Sequence, residues 1–377
     1  ANLDAQLKKW LKVGLSATFT DSNDNLKLTD GAEGIVNFAL TSLPEAPIYD
    51  VYGNYASFAR DNYNIHNPIA KAMEHNNWLN RKKLAGNIYA EVTPIKHLTW
   101  RTELGYDLGY SKAEVYNNEI NLYNWKEPNE SSIQKNNNTF WQLKNYVTYN
   151  NTFAKKHSVT AMLGQECWES KWDYTKVRNT KLPSDAVPNP VLGTGTATIG
   201  VGFGSAAMAS FFTRWTYSYD SRYNATYTYR YDGSSNFGPN NRWAGFHSFA
   251  TSWRFTNEKF VQAIAGKWLS NGKLRIGWGQ TGNSNIKSYV WGINMQPVYT
   301  TLGNGYRPQN IPNLDVKWEK QEQIDLGLDL GFLNDRINVT LDWYQKESKD
   351  MLMELQLPSY MGTSGNGNSK LNAPMGN

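Results

Sequence analysis

Cysteine is almost missing from this sequence. Cys167 is the one cysteine in 377 residues, which excludes an intrachain disulfide and a cysteine metal cluster. Charge is scarce too. Asp, Glu, Lys and Arg make up 19% of the chain, and the net charge of +5 is scattered rather than gathered into the Lys/Arg stripe of a nucleic-acid binder. No run approaches 18 consecutive apolar residues, so a transmembrane helix is excluded. A transmembrane strand is not, because its signal is alternation. There is no signal peptide at Ala1, and the opening Ala1-Asn2-Leu3-Asp4 reads as cut from something longer.

Aromatic side chains are plentiful. They form 14% of the sequence, with 23 Tyr and 15 Trp. The mean hydropathy is nonetheless −0.62. A chain this aromatic and this polar fits strands with one lipid-facing side and one wet side. It also fits a glycan-binding protein, so composition leaves both open.

Period two decides further. From Leu98 to Tyr110 one face reads Leu98, Trp100, Thr102, Leu104, Tyr106, Leu108, Tyr110, and the other carries Arg101, Glu103, Gly105, Asp107 and Gly109. Ile324, Leu326, Leu328, Leu330 and Phe332 likewise alternate with Asp325, Gly327, Asp329 and Gly331. Thirteen residues at about 3.3 Å each span roughly 43 Å, far beyond an ordinary soluble strand. The pattern predicts about eleven strands, near 7–20, 84–93, 97–110, 140–152, 157–170, 207–219, 222–232, 246–256, 273–280, 319–331 and 335–348. Their connections alternate. Segments 94–96, 153–156, 220–221 and 333–335 are tight, whereas 21–83, 111–139, 171–206 and 281–318 are long. One short connection is replaced by 257–272, which has a helical look. Short turns on one side and long loops on the other mark an outer-membrane barrel. The expected fold is therefore all-β: an antiparallel transmembrane barrel, here only in part, with long extracellular loops.

Tyr231-Asp232-Gly233-Ser234-Ser235-Asn236-Phe237-Gly238, followed by Asn240-Asn241-Arg242-Trp243, resembles a signature of the SusC/RagA family of TonB-dependent transporters. The likeness continues through Glu258-Lys259-Phe260, Leu274 to Asn283, Trp318-Glu319-Lys320-Gln321, Asp342-Trp343-Tyr344 and Lys349-Asp350-Met351-Leu352, and reaches back to Asn67-Pro68-Ile69 and Leu11-Lys12-Val13-Gly14. The resemblance implies a barrel of about 22 strands closed by an N-terminal plug. It implies import of oligosaccharides or oligopeptides across the outer membrane. The implied partners are a SusD-like surface lipoprotein, TonB with ExbB and ExbD, and outer-membrane lipid, in a dimer of transporter–lipoprotein pairs. No cofactor, metal or catalytic residue is implied. Residues 1–377 would all be barrel, with the plug and the final strands outside this chain.

Sharper chemical readings compete with plain ones. The glycines of Gly200-Val201-Gly202-Phe203-Gly204 lack the Gly-Lys-Ser/Thr of a phosphate loop and read as a flexible external loop. Asp21, Asn23 and Asn25 have the spacing of a calcium loop, but Leu26 and Ala32 occupy its Gly and Glu places. Asp325 and Asp329 share a face about 13 Å apart, too wide for a hydrolytic pair. His157 and Cys167 sit about 33 Å apart on one strand and cannot form a nucleophile pair. Trp100, Trp215 and Tyr219 read as interfacial girdle. Trp125, Trp168 and Trp172, placed in external loops, are the candidates for stacking on substrate. A carbohydrate-active β-protein and a passive porin remain the alternatives.

Overall fold

In the computed structural model, residues 1–31, 34–56, 58–60, 63–121, 126–184, 186–265, 268–308, 310–357 and 369–375 are described. Beside four small two-stranded sheets, their backbone forms one antiparallel sheet of twelve strands. In chain order these are β1 (Asn2–Lys8), β2 (Leu11–Asn25), β3 (His75–Ile95) and β4 (Leu98–Asn117). Next come β5 (Glu130–Phe153), β6 (His157–Thr180), β7 (Thr198–Tyr219) and β8 (Tyr223–Ser234). The last four are β9 (Trp243–Trp253), β10 (Leu269–Asn283), β11 (Glu319–Phe332) and β12 (Ile337–Lys349). Each strand pairs with its neighbours in sequence, and β1 does not close onto β12. No described helix is long and apolar enough to cross a membrane.

Twelve strands replace the expected eleven because the segment read as 7–20 contains a turn. Leu3, Ala5 and Leu7 of β1 and Leu11, Val13 and Leu15 of β2 are all odd-numbered, so the alternation passes through the turn at Lys9-Trp10 unbroken. Four of the long loops are also shorter than expected. They run over 26–74, 118–129, 181–197 and 284–318, because the flanking strands continue past their apolar stretch. Where neither face is apolar, as along Gln134-Lys135-Asn136-Asn137-Asn138, the alternation fades while the backbone ladder continues. The glycine segment 200–204 and the Asp21-Asn23-Asn25 trio, both read as loops, therefore lie on β7 and β2.

The connections at 153–156 and 220–221 share one backbone state. Ala154 and Lys155 have φ of 47° and 58°, and Asp220 and Ser221 have 51° and 54°. Two successive left-handed residues make the turn whose twist matches a hairpin. The helical segment is shorter than 257–272: helix α3 spans Lys259–Ala265. Two more short helices, α1 (Ile35–Thr41) and α2 (Pro68–Glu74), lie in the long connection between β2 and β3.

Register sorts the side chains into two faces. On one face Leu15, Ile88, Leu104 and Leu143 stand in line across β2 to β5, and Tyr227, Phe249, Trp278 and Ile324 do so across β8 to β11. Most of these large apolar groups are exposed, the reverse of a soluble core. Aromatics bracket the stripe on β4: Trp100 stands near the short turn, and Tyr106 and Tyr110 toward the long loops. Ten residue steps from Trp100 to Tyr110, at about 3.3 Å and a tilt near 40°, rise about 25 Å, the height of a barrel's apolar band. Trp215, Tyr219, Tyr223 and Trp253 continue the lower row. The stripe faces lipid, and the opposite face is the inner wall.

Candidate functional site

The inner wall is built from charges that satisfy one another. Arg101 reaches Glu103 at 3.1 Å and Glu91 at 3.6 Å. Glu166 sits between Arg230 at 3.3 Å and Lys144 at 4.0 Å, and also accepts from Gln142. Arg230 turns its Nε to Asp232 at 2.7 Å, and the Nη2 that reaches Glu166 also donates to the Ser210 hydroxyl at 2.8 Å. Arg275 forks onto both oxygens of Asp329 and onto Asp342, each at 2.9 Å. A planar guanidinium suits such bidentate bridging between strands. With Asp329 held by Arg275, and Asp325 accepting from Gln323 at 2.7 Å, the two carboxylates serve the wall rather than each other. Among the described residues, no group of three or more His, Cys, Asp or Glu could hold a metal ion. His157 bonds the Tyr217 hydroxyl at 2.8 Å, and Cys167 stands in register between Leu143 and Ala209 on the lipid side.

At the long-loop end the wall carries a small packed core. Phe237 and Val316 are fully buried and pack with Phe246 and Trp318. The Phe237 and Trp318 rings lie 5.1 Å apart. Polar bonds tie the same segments together. The Trp318 indole donates to the Arg242 carbonyl at 3.0 Å, Asn241 to the Asp315 carbonyl at 3.0 Å, and Asn236 to the Ser284 carbonyl at 3.2 Å. The Asn236-Phe237 turn thus fastens loop 235–242 to loop 284–318.

Beside this core, the inner wall becomes aromatic. Trp168, Trp172 and Tyr174 project from β6, in register with Gln142, Asn138 and Asn136 of β5. Phe140 of β5 lies 6.0 Å from Trp168, ring to ring. Trp172 is therefore not a loop residue as expected, and Trp168, grouped with the loop aromatics, lies within the expected strand 157–170. They stand on a strand that rises above the membrane band, on its inward face. Trp125 lies outside the described residues. Across from Trp172 and Tyr174, β7 offers Gly204 and Gly202. A Cβ at 204 would lie 2.7 Å from the Trp172 indole, and one at 202 would lie 2.3 Å from the Tyr174 ring. Glycine at both places lets the two rings lean across β7. They run parallel within 7°, with centroids 6.4 Å apart. Trp172 remains 46% exposed.

The Trp172 end opens into a cavity of about 770 Å³ that Phe203, Asn236, Ile286, Ser288 and Tyr289 also line. Ser288 fixes the cavity wall by donating to the Ser205 carbonyl at 2.8 Å and to the Asn236 side chain at 3.2 Å. Lys171, Asp173 and Lys287 line the cavity too, so it joins an apolar surface to amides, hydroxyls and a few charges, the usual make-up of a site for a small organic ligand. Tyr174 and Phe140 were not singled out from the sequence. The signal was present as glycine at every second position from 200 to 204, a strand period rather than a loop.

A profile of the family described as TonB dependent receptor-like, beta-barrel matches residues 7–376. TonB-dependent receptor P3 of Formosa agariphila is 29% identical over 385 residues, covering 97% of this chain and 37% of the relative. TonB-dependent receptor SusC of Bacteroides thetaiotaomicron is 37% identical over 169 residues, 42% of this chain and 16% of its own length. A solved structure of the RagAB peptide transporter superposes with a TM-score of 0.84 at 25% identity, covering 99% of this chain and 42% of that one. The ferripyoverdine receptor of Pseudomonas aeruginosa, at 10% identity and a TM-score of 0.54, shares the fold. The chain thus spans about two fifths of the length of its long-matching relatives.

Proposed function

Because this chain belongs to the TonB-dependent receptor β-barrel family, of SusC/RagA type, and forms outer-membrane barrel wall, we propose that it serves in active import of oligosaccharides or oligopeptides. In this reading all of residues 1–377 are barrel domain. A plug and the remaining strands of a longer protein close the barrel, consistent with a sheet whose first and last strands do not meet. A SusD-like surface lipoprotein captures substrate at the outer mouth, and TonB with ExbB and ExbD supplies the energy through the plug. The chemistry is differential binding, and no bond is made or broken in the substrate. Trp168 and Trp172 contact the substrate as it enters, as does Trp125.

The observation that carries this reading is the two-faced sheet: a lipid-facing belt outside, and a charged and aromatic wall inside that turns toward the long loops. The test is uptake into cells of labelled oligosaccharide or oligopeptide mixtures by the full-length protein. Uptake should require TonB and an energised inner membrane, and a surface lipoprotein should co-purify with the barrel in detergent. Uptake that continues unchanged without TonB would instead make the protein a passive porin.

A further inference from the structure

Trp172 and Tyr174 do more than face the outer mouth. Each ring leans over a glycine of β7, and the two rings hold a common plane direction, 7° apart. A larger residue at 202 or 204 would lift them off the wall. The result is a pair of parallel rings set against the sheet, with the Trp172 ring still half exposed. Two amide side chains, Asn138 and Asn136, flank the strip in register on β5. Asn136 is set in place by donating to the Ser111 hydroxyl at 2.9 Å and accepting from Gln134 at 2.8 Å. Beyond Trp172 the strip leads into the cavity, where Asn236, Ser288 and Tyr289 add an amide and two hydroxyls.

A pyranose ring is chemically suited to such a surface. It has an apolar C–H face and a rim of hydroxyls that both donate and accept. An aromatic face buries the first, and neutral amides and hydroxyls pair with the second. The groups in register with the two rings are glycines on one side and uncharged amides on the other, which suit hydroxyls better than a charged peptide terminus; the charged Lys171, Asp173 and Lys287 line the cavity beyond them. We propose that Trp172 and Tyr174 form a stacking subsite for consecutive sugar rings of an oligosaccharide, with Asn136 and Asn138 reading its hydroxyls. This inference rests on the importer reading and selects oligosaccharide over oligopeptide within it.

The test is binding by the full-length protein, purified in detergent without its lipoprotein. The probes are hexasaccharides of α-glucan, β-glucan, mannan, xylan and galactan, with a tryptic peptide mixture alongside. Isothermal titration should detect at least one of the sugars. Trp172→Ala should then weaken that sugar by about tenfold or more, the size of one lost aromatic contact. Trp172→Phe should keep most of the affinity. Gly204→Val retains the indole but displaces it, and should weaken binding too. Heat-shifted gel migration reports whether each variant still folds as a barrel. Wild-type affinity in both Trp172→Ala and Gly204→Val overturns the proposal. So does a wild-type protein that binds none of the sugars, or one whose Trp172-dependent ligand is a peptide. TonB-dependent uptake separates the two readings. If uptake is intact while Trp172→Ala binds normally, the subsite falls and the importer stands. If uptake is independent of TonB, the importer reading falls whatever the titration shows.

Discussion

At the scale of single residues, the side chain with the most partners at the short-turn end is Glu258. It is buried where α3 begins, and accepts from the Tyr223 hydroxyl at 2.6 Å, Arg222 at 3.1 Å and the Trp253 indole at 3.3 Å. Arg222 also reaches Asp220 at 2.8 Å, so one carboxylate joins β8, β9, α3 and the 220–222 turn. The Tyr223 hydroxyl above all, with help from Trp253 and Arg222, holds the Glu258 carboxyl below the usual glutamate range, against the opposing effect of burial. A depressed folded value means the contribution is complete above the unfolded glutamate pKa and is lost as pH falls through the folded one. Stability of the full-length barrel should therefore change little from neutral down to the ordinary glutamate range and fall below it. Thermal unfolding against pH checks this, and Glu258→Gln should flatten the acid limb. Glu258→Ala should be the more destabilising change, since it leaves Tyr223 and Trp253 without their acceptor. An acid limb as steep in Glu258→Gln as in the wild type would refute the assignment. The sequence placed this glutamate inside a helical-looking segment, but nothing in it said that Tyr223, thirty-five positions earlier, would bond it. That pairing depends on two turns lying side by side.

At the scale of elements, strands and loops divide unequally in what the sequence tells. The lipid-facing stretches were legible because one face must be apolar there, which enforces period two. Their extensions above the membrane were not, because water on both sides removes that requirement while backbone pairing persists. Trp172 was misplaced into a loop for this reason, whereas Trp168, counted with it, already fell inside the expected strand 157–170. The loops themselves are held by a few apolar side chains. Phe237→Ala empties a fully buried site against Trp318 and Phe246 and should cost roughly 3–5 kcal/mol locally. The loss belongs to the loop pair, so hydrogen exchange should quicken over 235–242 and 284–318 while the short turns at 154–156 and 220–222 keep their protection. Uniform quickening throughout the barrel would show that this core stabilises the whole sheet instead.

At the scale of the whole molecule, the two faces should answer substitution oppositely. Leu163 stands exposed on the lipid side of β6, in register with Val147 and one step above the Trp215 row. Thr160, on the same strand, faces inward opposite Thr216 and Asn150. Leu163→Arg should cost more than about 1 kcal/mol, between the interfacial and midplane penalties of a cation in the bilayer, and Thr160→Arg less. Reversible unfolding of the full-length protein in lipid vesicles would measure both. Equal costs would mean that the face assignment is wrong.

The sequence by itself determined the class of fold, the alternation of short turns with long loops, and the family, because lipid on one face and polar contents on the other impose a pattern that survives in the order of residues. It also showed that the EF-hand, phosphate-loop and thiol–histidine patterns lack the residue types their spacings need. Tertiary structure alone decided the twelfth strand, the clamp on Glu258, the loop core around Phe237, and the ring strip laid over Gly202 and Gly204. These features join residues through strand register and loop packing, and register is a relation between strands that no single strand's periodicity contains.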